Sequence, residues 1–148
     1  MRAVVQRVKN AGVTIEGDRI CSIEKGLMVL LSVEDSDTEQ DVSYMVEKLL
    51  NLRIFEDVEG KMNRSVSDID GEILLVSQFT LHGDARKGRR PSFIKAARPE
   101  TAIPLYEEII KRLGMAITVK TGVFGADMQV DLTNDGPVTI LLDSKRLF

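Results

Sequence analysis

Short apolar runs separated by turn residues fill the first part of the chain. Ala3–Val8, Val13–Ile15 and Arg19–Ile23 each contain Val or Ile, and we interpret them as short strands. Asn10-Ala11-Gly12 and Glu16-Gly17-Asp18 lie between these runs and have the composition of turns. This part of the chain therefore predicts consecutive strands joined by tight turns.

The spacing of the apolar residues changes after Leu27–Val33. That run is almost continuously apolar, which predicts a strand buried on both faces. Asp35–Asp37 then offers N-cap residues, and the apolar residues that follow recur at i, i+3, i+4, i+7 and i+8. These residues are Val42, Met45, Val46, Leu49 and Leu50. Their spacing predicts a helix with one apolar stripe that packs into the core.

A further strand and a second helix are predicted in the next part of the chain. Ser67–Gly71 leads into a strand over Glu72–Phe79. A helix is predicted to begin near Pro99–Thr101, with Pro104 in its first turn, and to end at Gly114.

Three more strands are predicted near the end, at Ala116–Lys120, Met128–Leu132 and Pro137–Leu142. The total is about eight strands and two helices, and the helices are separated in sequence instead of alternating with strands. This order favours the α+β class, with a mostly antiparallel, barrel-like sheet. We expect residues 1–148 to form a single domain.

Composition excludes several classes of protein. Of the 148 residues, 43% are hydrophobic and 29% are charged, which is typical of a soluble globular domain. The apolar runs are too short to span a membrane, and we identify no signal peptide. Cys21 is the only cysteine, which favours a reducing, cytoplasmic location. Because Cys21 and His82 are the only soft or borderline ligands, we expect neither a metal nor another cofactor.

A basic segment contrasts with the net charge of −3. The overall charge argues against a general nucleic-acid coat protein. The segment from Ala85 to Arg98 nevertheless has no acidic residue, and its cations are Arg86, Lys87, Arg89, Arg90, Lys95 and Arg98. Two interpretations stay open: a solvated surface loop, and a loop that contacts phosphate groups.

Hydroxyl and imidazole groups occur close together near one predicted strand end. On an extended strand, Thr80, His82 and Asp84 would lie on one face and suggest a Thr-His-Asp relay. Alternate positions of a single strand give poor geometry for such a relay, and Thr80 lacks the α-amine that activates an N-terminal threonine. We therefore assign His82 to the surface at a strand end.

Two segments place polar groups at the ends of apolar strands, where a rigid pocket can form. Ser77-Gln78-Phe79-Thr80-Leu81 ends one strand, and Asn134-Asp135-Gly136-Pro137-Val138-Thr139 opens another. Gly136-Pro137 fits a plain turn before a strand. It also fits a cis bond that would fix the Gly136 carbonyl as an acceptor for an ammonium group. The residues alone leave this choice open.

Both segments resemble the signature motifs of D-aminoacyl-tRNA deacylases. We call Ser77–Leu81 the first motif and Asn134–Thr139 the second motif. Other parts of the chain resemble the same family in the same order. They are Arg2–Val8, Arg53–Phe55, Gly60–Asn63, Arg90–Phe93 and Gly122–Met128. The resemblance covers essentially the whole chain, and several ordered segments are more specific than any single motif.

This resemblance implies an enzyme that hydrolyses the ester between a D-amino acid and the 3′-terminal adenosine of tRNA. It implies a homodimer whose active sites lie at the subunit interface, with one motif from each subunit. The implied catalytic residues are Ser77, Gln78, Phe79 and Thr80. The implied substrate-binding residues are Gly136, Pro137 and Ala102, and the candidate tRNA contacts are Arg86, Lys87, Arg89 and Arg90.

The implied chemistry rests on rigid backbone. The carbonyls of a cis Gly136-Pro137 segment would hold the α-amino group, so that an L side chain meets the pocket wall and a D side chain points outward. Glycine has no side chain to reject, which makes glycyl-tRNA mischarged on tRNA(Ala) a further expected substrate. Backbone groups and the ribose 2′-hydroxyl would support hydrolysis of the activated ester.

Two other functions stay open at the level of sequence. The chain could be a non-catalytic tRNA-binding module that uses residues 85–98. It could also be a hydrolase of free D-amino-acid esters or peptides.

Overall fold

A curved, barrel-like sheet with two α-helices on one face forms the fold. The computed structural model describes residues 1–148. Its strands are β1 (Arg2–Ile15), β2 (Asp18–Ile23), β3 (Gly26–Ser32), β4 (Phe55–Glu56), β5 (Met62–Arg64), β6 (Glu72–Ser77), β7 (Val119–Thr121) and β8 (Gln129–Asp143). Its α-helices are α1 (Glu39–Asn51) and α2 (Pro99–Gly114), and 3₁₀ turns cover Ser67–Ile69 and Phe79–His82.

The main sheet is mixed. Its strand order is β2-β1-β3-β6-β7, and β8 pairs with the other edge of β1, while β4 and β5 form a separate hairpin. All pairings of β1 are antiparallel, whereas β3–β6 and β6–β7 are parallel. The two parallel pairings arise because α1 and α2 each carry the chain back across the sheet. The predicted α+β class and barrel-like sheet are confirmed.

The two longest strands correct the sequence prediction. Asn10-Ala11-Gly12 is not a turn, because β1 runs through it without interruption. Met128–Leu132 and Pro137–Leu142 likewise belong to one strand, β8. β1 and β8 pair with each other over nearly their full length, with register shifts opposite Gln6–Asn10. Long-range pairing therefore overrides local turn composition at these positions.

The first helix has the predicted stripe but a different cap. Val42, Met45 and Leu49 are fully buried, which confirms the stripe. The N-cap is Thr38 and not a residue of Asp35–Asp37, because Thr38 and Asp41 form a reciprocal capping box.

The second helix begins at Pro99 and ends at Gly114, as predicted. Pro104 lies inside the helix and not in its first turn, because the helix already starts at Pro99. Ala102, Tyr106, Ile109 and Leu113 form its buried stripe.

The two faces of the sheet are covered differently. A cluster of 21 buried residues fills the space between the sheet and both helices. A second cluster of 7 lies on the opposite face, where the sheet curves over itself. That face stays partly open beside it, since Val4 pairs in register with Leu30 and Leu141, and Leu141 is 57% exposed. We call the surface formed by Val4, Leu30 and Leu141 the open face.

Candidate active site

The segment Ser77–Thr80 forms a rigid turn at the end of β6. Ser77 is the last residue paired with β3, opposite Leu31, and the Gln78 amide then donates a hydrogen bond of 2.7 Å to the Leu31 carbonyl. The chain next enters the 3₁₀ turn Phe79–His82. The predicted strand over Glu72–Phe79 therefore ends two residues early, because β3 offers no further partner beyond Ser32.

The hydroxyl and imidazole groups of this turn do not form a relay. Thr80 Oγ1 accepts a hydrogen bond of 2.6 Å from Gln78 Nε2. His82 Nδ1 lies 2.7 Å from Ser32 Oγ, and Asp84 pairs with Arg86. Each group thus has a partner outside the relay, so Thr80 has no neighbouring base that could activate it.

His82 is buried, which corrects its assignment to the surface. Only 3% of the residue is exposed. Burial lowers the pKa of the imidazole, and the positive charges of Arg2 and the amino terminus lower this pKa further. The ring is therefore neutral near pH 7 and connects the 3₁₀ turn to Ser32 of β3.

A cleft of about 270 Å³ opens beside the turn. One wall consists of residues 76–79, and the other consists of residues 124–128 and Val130. Phe79 is 56% exposed, and its ring meets Phe93 edge to face at 5.2 Å between centroids. The cleft thus combines an exposed aromatic ring with backbone and amide groups.

Ala102 lies beneath the same turn. It lines a smaller pocket together with Ser77, Gln78 and Phe79, and it is only 6% exposed. Tyr106, one helical turn later, donates a hydrogen bond of 2.9 Å to the Leu75 carbonyl. Helix α2 therefore fixes the floor of the site, and the structure brings Ala102 together with the first motif.

The Gly136–Pro137 segment forms an exposed bulge in β8. Its peptide bond is cis, and Gly136 has a φ of +132°. Val8 pairs with Asn134 and Gln6 with Thr139, so the four residues between them stand opposite Arg7 alone. Asn134 Oδ1 accepts a hydrogen bond of 2.9 Å from the Val138 amide and closes the bulge.

Arg7 attaches this bulge to the body of the protein. Its side chain is 7% exposed. Nε donates a hydrogen bond of 3.0 Å to the Asp135 carbonyl, and Nη1 donates one of 2.6 Å to the Ile54 carbonyl. A buried guanidinium with fixed acceptors on two segments positions the backbone next to Gly136.

The two motifs do not share a cleft within one chain. Gly136 and Pro137 are absent from the walls of the cleft beside Ser77. Arg7 pairs with Leu27, whereas Ser77 pairs with Leu31, four residues further along β3. Four residues along β3 correspond to about 13 Å in the strand direction. The path from β8 through β1 and β3 to β6 crosses three strand spacings, which adds about 14 Å across the sheet.

The basic segment forms a loop next to the cleft. An isolated antiparallel bridge between Asp84 and Ser92 closes it. Arg86 is held by both carboxylate oxygens of Asp84, and this pairing lowers the pKa of Asp84 strongly. Lys87, Arg89 and Arg90 are exposed and form no ion pair. The structure therefore brings the basic loop, but not Gly136, to the edge of the first motif.

Sequence reasoning missed several residues of the site. Arg7, Phe93 and Phe124 received no role, although the segments that contain them were recognised as family-like. Phe124 lines the cleft and meets Tyr106 edge to face at 5.7 Å. Arg7 follows Ala3 and Val5 at alternate positions of β1, so an arginine in line with apolar residues is the signal that could have pointed to a buried polar contact.

Two further observations concern cofactors and membranes. No group of three or more His, Cys, Asp or Glu residues is arranged to hold a metal ion. Neither α-helix has the length and apolar character that a membrane crossing requires.

Comparison with known proteins gives full-length matches. A sequence model for the family described as D-Tyr-tRNA(Tyr) deacylase matches residues 4–143. A D-aminoacyl-tRNA deacylase of Clostridioides difficile is 60% identical and one of Thermosipho africanus is 58% identical, each over 100% of both chains.

Two solved structures share the fold of this chain. One described as a c-Myc DNA unwinding element binding protein is 46% identical, with a TM-score of 0.92 over 97% of this chain and 98% of that chain. Another, described as a probable eukaryotic D-amino acid tRNA deacylase, has a TM-score of 0.81 at 21% identity, over 95% and 97% of the two chains. This second similarity concerns the fold alone.

Together with the fold, these matches define the chain as a deacylase, a hydrolase that acts on ester bonds. In particular, the chain belongs to the D-Tyr-tRNA(Tyr) deacylase family.

Proposed function

We propose that this protein hydrolyses the ester of D-aminoacyl-tRNA and releases the free D-amino acid and tRNA. The observation that carries this proposal is the rigid turn Ser77–Thr80 at the mouth of a cleft. The turn is fixed by the Gln78–Leu31 backbone bond and by the floor that Ala102 provides. Fixed polar groups of this kind stabilise developing charge on an ester oxygen.

The hydrolysis uses no nucleophilic side chain of the protein. Thr80 lacks a base, and His82 is buried against Ser32. A water molecule attacks the ester carbonyl, supported by backbone groups of the turn and by the ribose 2′-hydroxyl next to the ester. An aminoacyl ester is already activated, so positioning and charge stabilisation suffice.

The preference for D-amino acids comes from Gly136 and Pro137 of a second copy of the chain. The bulge that carries them is exposed, and Arg7 and Asn134 hold it in place. Backbone carbonyls at this bulge bind the α-amino group of the substrate. An L side chain then collides with rigid backbone, whereas a D side chain points out of the cleft. Glycine escapes this rejection, so glycyl-tRNA mischarged on tRNA(Ala) is also a substrate.

A homodimer supplies both motifs to one site. Two features support this. The first is that three strand spacings separate the two motifs of one chain on the sheet. The second is that the open face beside the bulge carries Leu141, which is 57% exposed. A two-fold interface would bury this surface on both copies at once and bring each bulge to the other copy's cleft.

The basic loop provides contacts to tRNA. Lys87, Arg89 and Arg90 are exposed and carry no ion pair, so they can bind phosphate groups of the acceptor end. Charged tRNA is a cytoplasmic substrate, and the lone Cys21 fits the reducing conditions of that compartment.

A second candidate function is a nucleic-acid-binding module without catalysis. The similarity to the 46% identical structure, which is described as a DNA unwinding element binding protein, favours this function. The exposed cations of the basic loop favour it as well. A module of this kind needs the basic loop but not the cleft beside Ser77.

Incubation with D-tyrosyl-tRNA separates the two functions. We expect release of free D-tyrosine well above the rate without protein, and loss of this release in Gln78→Pro. Proline at position 78 removes the amide that binds Leu31 and cannot adopt the φ of −146°. A matched control is Gln40→Ala, which changes an exposed glutamine of α1. Tight binding of the tRNA without hydrolysis would favour the binding module.

A further inference from the structure

A cationic cavity of about 360 Å³ begins where the 3₁₀ turn Phe79–His82 ends. Its lining includes Arg2, His82, Asp84, Arg86, Lys95 and Leu147. Phe79, at the start of this turn, lines the cleft beside Ser77, and His82, at its end, lines the cavity. A single short turn therefore lies between the two. From Phe79 to His82 the turn advances about 6 Å, given the rise of a 3₁₀ helix.

The charges of the cavity are unbalanced. Three cations line the cavity: Arg86 is paired with Asp84 and Arg2 is paired with Asp143, so Lys95 is the one without a carboxylate partner. Lys95 forms neither an ion pair nor a side-chain hydrogen bond with any other residue. The backbone on both sides of Lys95 is fixed, because the Ala96 amide bonds to the Phe93 carbonyl at 3.0 Å. Lys95 is therefore a free cation on a rigid support.

Arg2 is held in place yet keeps a donor free. Its Nε donates a hydrogen bond of 3.0 Å to Asp143 Oδ2, and its Nη1 donates one of 3.2 Å to the Leu81 carbonyl. Nη2 has no acceptor within the protein, and 26% of the side chain is exposed. A guanidinium fixed in this way presents a directed donor to an anion.

The ring of His82 also lines the cavity. Its Nδ1 lies 2.7 Å from Ser32 Oγ, which fixes the ring against β3. The wall that His82 forms therefore adds no charge that would oppose the cations.

We propose that this cavity binds the phosphodiester that joins the terminal nucleotide of tRNA to the rest of the acceptor strand. The inference rests on the proposed function, because the ester must lie at Ser77–Thr80. The terminal ribose carries the ester on its 3′ side and the phosphodiester on its 5′ side. One nucleoside therefore separates the two groups, and one short turn separates the cleft from the cavity.

The test compares two substrates that differ in this phosphate. D-tyrosyl-tRNA carries the phosphodiester, whereas 3′-O-D-tyrosyl-adenosine has the same ester but no phosphate. We expect Lys95→Met to raise the KM for the tRNA substrate about five- to tenfold and to reduce the slope of log KM against log salt by about 0.7. Hydrolysis of the nucleoside ester should change less than twofold.

Controls keep the outcomes separate. Lys61→Met removes an exposed lysine on the β4–β5 hairpin and should leave both reactions unchanged. Arg2→Met is a second variant, and its folding is checked by circular dichroism because Arg2 pairs with Asp143. Equal losses on both substrates, or no loss on tRNA in folded Lys95→Met, would overturn the phosphate assignment.

Failure of the proposed function would look different. In that case wild-type protein would hydrolyse neither ester. The cavity is then judged by binding of uncharged tRNA: weaker binding of Lys95→Met than of Lys61→Met supports the phosphate site, and equal binding overturns it.

Discussion

At the scale of single residues, Arg7 and the Ser32–His82 pair attach the two motifs to the rest of the fold. Arg7 is buried within the sheet and joins the Gly136 bulge to the Ile54 backbone. His82 joins the 3₁₀ turn to β3 through Ser32. Neither contact could be predicted from sequence, because Arg7 and Ile54 are 47 residues apart and Ser32 and His82 are 50 residues apart.

Thr80 is expected to support the site and not to act as a nucleophile. Its hydroxyl accepts one hydrogen bond from Gln78 and has no base next to it. Thr80→Ala should slow single-turnover deacylation by no more than about tenfold, because the free energy of one hydrogen bond corresponds to a rate change of about this size. Thr80→Ser, which keeps the hydroxyl, should be closer to wild type.

Loss of a nucleophile gives a very different result. It would reduce kcat by about a million-fold. An inactive but folded Thr80→Ala, or an acyl group trapped on Thr80, would show that the hydroxyl attacks the ester.

His82 makes stability depend on pH. Its pKa in the folded protein lies below the ordinary value of 6.5, so the unfolded chain binds the proton more readily. The stabilisation is complete above pH 6.5 and is lost as the pH falls toward the lowered pKa. Burial is the main cause of the lowered pKa, Arg2 and the amino terminus add to it, and Glu34 and Asp37 oppose it.

Urea unfolding of wild type and His82→Gln at pH 7.5 and pH 5 tests this effect. We expect the free energy of unfolding to fall more for wild type than for the variant, which cannot titrate at this position. Identical decreases in both proteins would mean that other groups account for the pH dependence.

At the scale of elements, the capping box fixes where α1 begins. Thr38 Oγ1 accepts the Gln40 amide at 3.3 Å, and Asp41 Oδ2 accepts the Thr38 amide at 2.8 Å. Thr38→Ala should lower the free energy of unfolding by about 1 kcal/mol. Asp35→Ala is the matched control, because Asp35 was a candidate cap and is exposed. A larger loss for Asp35→Ala would contradict the observed cap.

The sequence predicted those elements whose signals are local. The stripe Val42–Leu50, the continuous run Leu27–Val33 and the helix end at Gly114 were all predicted correctly. β1 and β8 were each divided in two, because their continuity comes from pairing between distant parts of the chain. The strand expected to reach Phe79 ended early for the same reason, since its length depends on β3.

At the scale of the whole molecule, the proposed function requires two chains for one active site. The first motif lies beside α2 and the basic loop, whereas the Gly136 bulge lies on the far side of β1. The residues of each motif were identified from the sequence, but their separation within one chain follows only from the strand order.

Mixing two inactive variants tests the shared site. Gln78→Pro disrupts the first motif. Gly136→Ala disrupts the second, because the added Cβ would lie 2.7 Å from Val138 Cγ2 at a φ of +132°. In a mixed dimer one site receives both defects and the other receives none, so random mixing should restore about one quarter of wild-type activity.

This result depends on exchange of subunits, which is measured by differently tagged chains. Mixed dimers that form without any recovery of activity would mean that the two motifs act within one chain. Activity of the wild-type protein as a monomer would also mean that the two motifs act within one chain.

The most direct test of the central claim is the ratio of kcat/KM for D-tyrosyl-tRNA and L-tyrosyl-tRNA, measured with the same tRNA under the same conditions. The account predicts rapid release of D-tyrosine, while the L-ester decays close to its rate without protein. In the proposed function, rejection of the L-ester comes from backbone at the Gly136 bulge, which Arg7 and Asn134 hold in place. Equal rates on the two esters, or no release from the D-ester, would contradict it.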